Sequence, residues 1–179
     1  EASSIDAFRF ENEAREGGKS PKFYIDELTL QASGTPIDFE IKPDPGTWFH
    51  IKSFQTTFVD AYNADDADST MPHLSYDQIL GMTPTVGFVR EQYRENKANP
   101  VSRKRFTNLM DMLSLHGATI TNHISDGTNT LITVTQNLPE GMIVTLKSEN
   151  LDRIVYYIED DFSQLLYFRV TASGYVETR

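Results

Sequence analysis

Between residues 118 and 177 the chain presents strand-like segments in succession, with no helix to connect them. The segments 118–123, 130–136, 142–148, 153–159 and 165–177 are rich in Val, Ile, Thr, Tyr and Phe. Between them lie Ser125-Asp126-Gly127, Leu138-Pro139-Glu140-Gly141, Glu149-Asn150 and Asp160-Asp161-Phe162-Ser163, all turn-forming clusters. A parallel sheet needs a crossover of about a dozen residues or more between neighbouring strands, usually a helix. These connections are too short for that, so the strands must pair antiparallel. Strands recurring every ~8–12 residues suit a sandwich or a barrel.

The first half repeats the pattern. Residues 23–30 are β-rich and end at Ser33-Gly34-Thr35-Pro36. In 37–41, Ile37, Phe39 and Ile41 share one face while Asp38 and Glu40 share the other, the alternation of a half-buried strand. Pro43-Asp44-Pro45-Gly46 then turns the chain into a long strand over 47–61. Simple counting puts Phe49 and Ile51 on one face of that strand and Phe54 and Phe58 on the other. A β-bulge near Ser53 would return all four to one side. Residues 83–94 read as a further strand through Val86, Phe88 and Val89, followed by a loop over 95–100.

One or two short helices are expected. One is a single turn over 75–80 capped by Ser75; the other lies within 102–116, where Phe106, Leu109, Met110 and Leu113 recur at helical spacing before Gly117. Residues 1–21 are polar and irregular and read as an arm, leaving 22–179 as a single domain. The arm's large apolar groups are chiefly Ile5, Phe8 and Phe10, too few to offset its own ordering entropy, so it is expected to dock on a neighbouring subunit. The fold expected is mainly β, an antiparallel two-sheet sandwich of eight to ten strands, jelly-roll-like, with the barrel as the alternative.

With 39% apolar residues, including eleven Phe and eight Tyr, one core is affordable in 179 residues. No apolar run approaches the ~18 residues of a membrane span, and the first residues lack the basic and apolar parts of a signal peptide. A net charge of −10 opposes binding to phosphate backbones, and the basic run Arg103-Lys104-Arg105 reads as a solvated loop or helix start. Without cysteine there is no thiolate chemistry and no disulfide.

Catalytic signatures are missing as well: no G-x-S-x-G, P-loop, G-x-G-x-x-G or H-E-x-x-H. His50, His73, His116 and His123 never form the H-x-H pair that a strand-borne metal site needs. The acidic stretch 60–69 lacks the turn glycine and closing glutamate of an EF-hand loop and reads as solvated. Neither a metal nor another cofactor is expected. The aromatics Trp48, Tyr62, Tyr93, Tyr156, Tyr157 and Tyr175 serve core packing first and a sugar platform or protein contact second. Tyr156 and Tyr157 face opposite sides of a strand, so at most one is core. Trp48, just after a turn, and Tyr62 are the candidates for surface binding.

The run Gly34-Thr35-Pro36-Ile37-Asp38-Phe39-Glu40-Ile41-Lys42-Pro43, then Pro45-Gly46-Thr47-Trp48-Phe49-His50-Ile51, resembles virion proteins of tailed bacteriophages. The closing segment, Ile158-Glu159-Asp160-Asp161-Phe162-Ser163-Gln164-Leu165-Leu166-Tyr167-Phe168-Arg169-Val170 with Gly174-Tyr175-Val176-Glu177, is similar to the same group. The resemblance implies a non-enzymatic virion component of the tail, neck or fibre-attachment region, whose partners are copies of itself and neighbouring virion proteins. It transfers no catalytic residue. The alternatives are a β-sandwich that binds carbohydrate or a host receptor, with a host glycan as partner, and a metal-dependent jelly-roll enzyme, which the histidine spacing disfavours.

Overall fold

The computed structural model describes residues 19–27, 37–61, 87–107, 109–125, 129–159 and 165–179. They form two antiparallel sheets with a hydrophobic core between them. The strands are β1 (Lys19–Glu27), β2 (Ile37–Ile41), β3 (Thr47–Ala61), β4 (Phe88–Tyr93), β5 (Ser102–Phe106), β6 (Ala118–Ser125), β7 (Asn129–Asn137), β8 (Val144–Lys147), β9 (Arg153–Ile158) and β10 (Leu165–Thr178). One five-residue helix, α1 (Leu109–Leu113), stands between β5 and β6. The six-stranded sheet runs β1-β10-β3-β7-β6, with β8 also paired to β3; the four-stranded sheet runs β2-β9-β4-β5. The two-sheet sandwich expected from the sequence is therefore the architecture, although this pairing does not establish a jelly-roll strand order.

The long strand β3 organises the larger sheet. Along one edge it pairs with β10; along the other, β8 takes Trp48 to Ile51 and β7 takes Ser53 to Ala61. The join is a bulge. Opposite β10 the register steps from Ser173↔Ser53 to Gly174↔Ile51, which leaves Lys52 unpaired in that ladder. The Lys52 carbonyl instead accepts the Leu138 N–H at 2.8 Å. As a result Phe49, Ile51, Phe54 and Phe58 all enter the same core, as a bulge near Ser53 requires. Gly174 lies at the same irregularity, where a Cβ would come within 1.8 Å of the His50 carbonyl oxygen.

The turn into β3 follows its sequence signature. Thr47 N–H closes on the Asp44 carbonyl at 3.1 Å, with Pro45 at the first central position and Gly46 at φ +73 at the second, the pattern of a type II turn. In β2, Ile41 is buried and Phe39 half-buried, with Asp38 and Glu40 exposed. Phe39 stacks on its cross-strand neighbour Tyr156 at 5.0 Å. Tyr156 is in the core and Tyr157 faces the other way. Where the sheets meet, Phe58 and Phe168 of one contact Phe88 of the other, edge-to-face at 5.5 Å for Phe88 and Phe168.

Two expectations need correction. Residues 102–106, placed in a helix by their spacing, form β5, and Arg103-Lys104-Arg105 is an exposed strand rather than a loop or helix start. Among the described residues of 102–116, helix covers Leu109–Leu113, where Leu109 and Met112 are buried while Met110 is exposed. Phe106 reaches the core from a strand, so the apparent helical period joined side chains from two different elements. In addition β1 begins at Lys19, inside the stretch read as arm, with Pro21 opposite Tyr175. The helical turn at 75–80, the part of the acidic stretch 60–69 that follows Ala61, and Ile5, Phe8, Phe10 and Tyr62 lie outside the described residues.

Gly174→Ala is expected to lower unfolding stability by at least the ~1–3 kcal/mol typical of overpacking, because the obstructing atom is backbone. Denaturant unfolding measures it. A change under about half a kcal/mol, the ordinary surface range, contradicts the close approach.

Candidate functional site: an aromatic and ionic ridge

Because β3 alternates, the faces opposite Phe49 and Ile51 carry Trp48 and His50 on the outside of the larger sheet. Register brings Lys147 and Glu177 alongside Trp48, and Thr145 and Tyr175 alongside His50. The chain end adds Arg179, whose N–H is held by the Gly46 carbonyl at 2.9 Å. These side chains form one continuous ridge. His50 contacts the Thr145 hydroxyl through Nδ1 and the Glu177 carboxylate through Nε2, both at 2.9 Å. Its ring stacks on Tyr175 at 4.5 Å. Glu177 also receives Arg179 at 2.8 Å.

Trp48 is half-buried, and its polar and π groups are engaged. The indole N–H donates to Glu149 at 2.8 Å, while the Lys147 ammonium and the Arg179 guanidinium lie 4.2 Å and 3.9 Å from the ring centroid. A stacking platform for sugar needs an open ring face, and these cations already occupy the space over the ring. Trp48 is thus held in place on the sheet surface by Glu149, Lys147 and Arg179.

The β8–β9 connection, which leaves the ridge at Lys147, presents Leu151 next to Glu40, Lys42 and Pro43. Leu151 is 58% exposed and sits at φ +57, the left-handed region that a leucine enters at a cost of about 1–2 kcal/mol. The connection is pinned by Asp152, which is buried and accepts the N–H groups of Glu95 and Lys147 at 2.9 and 3.0 Å. Leu151 N–H returns to the Ser148 carbonyl at 3.1 Å. Sequence reading missed Leu151, because neither its exposure nor its backbone region leaves a mark in composition or period.

The hydroxyl–imidazole–carboxylate line of Thr145, His50 and Glu177 has the order of a nucleophilic triad. Its surroundings do not complete one. Among the described residues, no pair of backbone N–H groups is seen to converge beside the Thr145 hydroxyl as an oxyanion hole would require. Glu91 and Tyr93 on β4 form a second polar group, on the outer face of the smaller sheet. Tyr93 donates to one Glu91 oxygen and Arg103 binds the other at 3.1 Å. That hydrogen bond, aided by Tyr157 and by burial, raises the Tyr93 pKa well above the ordinary phenol value. A raised phenol pKa is the reverse of what a nucleophile or general base requires.

His73 lies outside the described residues. His50 belongs to the ridge, His116 lies in the turn before β6, and the side chain of His123 is outside the described residues. Among the described residues no three His, Asp or Glu side chains gather as a metal-binding group, and no helix is long and apolar enough to cross a membrane. Among the described aromatics singled out, Trp48 and Tyr175 flank His50, Tyr156 is core, and Tyr93 and Tyr157 meet on the far face of the smaller sheet. The chain matches no protein-family model and shows no significant similarity to any curated protein.

As the single tryptophan, Trp48 reports on the ridge. Arg179→Ala is expected to raise acrylamide quenching of its fluorescence while changing stability by no more than ~1 kcal/mol, the scale of an exposed cation–π contact. Unchanged quenching removes Arg179 from the clamp. The tyrosines predict a pH dependence. Tyr93 is raised chiefly by its bond to Glu91, and Tyr156 by burial. Both keep their protons in the folded state after unfolded tyrosines, near 10.0, begin to lose theirs. Their contribution is therefore intact below that pH and is lost as pH rises above it. Absorbance titration should show two phenols that ionise only on unfolding; free titration of all eight near pH 10.0 contradicts this.

Proposed function

We propose that this chain is a non-enzymatic building block that works by protein–protein assembly, with copies of itself and neighbouring proteins as partners. The observation that carries the reading is Leu151, an exposed apolar side chain fixed in a strained backbone on the β8–β9 connection, four residues beyond Lys147 of the ridge. Backbone strain held by a buried carboxylate, with an apolar group presented to solvent, is the arrangement of a pre-organised anchor. Trp, Tyr and Arg are also the residue types most enriched at interface hot spots. Alternating charges around them, Lys147, Glu149, Glu177 and Arg179, supply the polar rim that fixes register in such contacts.

Assembly in a phage virion, in its tail, neck or fibre-attachment region, is the finer form of this proposal. It rests on the resemblance of residues 34–51 and 158–177 to virion proteins, and the family comparisons add nothing to it. Residues 1–18, which carry Ile5, Phe8 and Phe10, are the second assembly element proposed.

The test is sedimentation of the purified chain over a range of concentrations. Wild type is expected to self-associate. Leu151→Asp should weaken association at least tenfold while leaving stability within about half a kcal/mol, as for other surface substitutions. Removing residues 1–18 should weaken association without shifting the unfolding midpoint. A chain that stays monomeric at every concentration, or associates equally well as Leu151→Asp, overturns the role of this surface.

A further inference from the structure

Between the two sheets, at the end where β5 and the turn before β6 approach, lies an open cavity of about 350 Å³. That is within the ~300–1,000 Å³ of small-molecule sites. Its apolar wall includes Phe54, Leu138, Val144 and Ile154, and its polar side carries Arg90, Lys104, Gln92 and Gln136. None of the described lining residues is an acid.

The cations stand out from their setting. Arg90 and Lys104 are direct cross-strand neighbours on β4 and β5, and like charges so placed repel. One residue along the same hairpin, Glu91 faces Arg103 and the two form an ion pair at 3.1 Å. The hairpin thus matches its charges on the outer face and mismatches them on the cavity side. Arg90 is half-buried, with its guanidinium 4.3 Å from the Phe54 ring centroid. It donates to the Gln136 side-chain oxygen at 3.1 Å, and among the described residues no carboxylate pairs with it. Gln136 is itself buried and held from behind by the His116 carbonyl, its amide donating at 3.4 Å. The Gln92 amide nitrogen, also on this wall, is buried with no partner among the described residues.

We infer that this cavity binds a small organic anion of amphipathic form, a medium-chain alkyl carboxylate in chemical class. Its carboxylate pairs with the Arg90 guanidinium and the Lys104 ammonium. Gln92 adds a neutral donor, and the alkyl chain lies along Phe54, Leu138, Val144 and Ile154. A guanidinium fork fits a carboxylate with two parallel hydrogen bonds, and it accepts desolvation more readily than an ammonium does. A chain of net charge −10 repels anions at long range, so selectivity here comes from the local pair of cations and the apolar wall together.

Decanoate, titrated into the full chain by calorimetry and followed by the side-chain amide resonances of Gln92 and Gln136, tests the assignment. One saturable site that moves those resonances is expected, with decanol at least tenfold weaker and acetate without effect. Lys104→Glu supplies within the chain the carboxylate that the ligand would bring, at an exposed position where folding is preserved. It should abolish decanoate binding and raise the unfolding midpoint. Equal binding of decanol, equal binding by Lys104→Glu, or no saturation below millimolar decanoate overturns the proposal. Equally tight acetate would overturn the amphipathic class.

Discussion

The bulge at Lys52 is the constraint on which the larger sheet depends. A strand has a side-chain period of two, so one extra residue exchanges its faces. Without Lys52 outside the β10 ladder, Phe49 and Ile51 would occupy the face opposite Phe54 and Phe58, and half of these four apolar side chains would face away from the core. The step also divides the far edge of β3 between two partners, β8 and β7, which meet near the Lys52 carbonyl. Gly174 completes it from the other side, because only a residue without Cβ fits against the His50 carbonyl. The ridge follows from the same step: the residues that alternate with Phe49 and Ile51 are Trp48 and His50, and β10 and β8 carry their companions by register.

The smaller sheet docks through its aromatics. Phe88 touches Phe106 and Tyr156 within its own sheet and Phe58 and Phe168 across the interface. Such offset and edge-to-face pairs add about 0.5–1.5 kcal/mol each beyond area burial, so this cluster fixes the sheets' separation more narrowly than aliphatic packing would. On the edge strand β5, Arg103, Lys104 and Arg105 are exposed. Charged side chains on an edge oppose pairing with a foreign strand. A basic run that resembles a nucleic-acid patch in sequence is thus, in part, protection of an edge.

Much of the fold was legible in the sequence because turn chemistry and alternation are local. Pro45-Gly46 announces the turn, Ile37-Asp38-Phe39-Glu40-Ile41 announces a strand with one dry face, and the glycine and acid clusters separate β6 to β10. Even the bulge was legible, from the parity conflict between Ile51 and Phe54. The error at 102–116 has a physical cause. Phe106 ends a strand and Leu109 begins a helix, so a three-residue interval arose across an element boundary that period alone does not reveal. The candidate sites were less legible because they depend on register. Trp48 could be placed by its turn, but its clamp joins residues 101 and 131 positions away, Glu149 and Arg179.

The juxtaposition of Arg90 and Lys104 was hidden for the same reason, and it sets what the two sheets enclose. For stability alone, a half-buried guanidinium beside a void is poor: the charge loses hydration, its neighbour repels it, and the wall loses packing contacts. Each of these costs has a simple remedy within this fold. An acid in place of Lys104 would pair the charge, as Glu91 and Arg103 are paired one position away. An apolar residue in place of Arg90 would extend the cluster of Phe54, Phe106 and Tyr156 that already surrounds it. The sequence does neither, and it adds a buried amide, Gln92, with an unused donor on the same wall. Three unfavourable features that share one cavity have a common resolution in a ligand that brings negative charge and apolar surface together, which is why the proposed ligand is assigned to the open end of the sandwich rather than to the ridge.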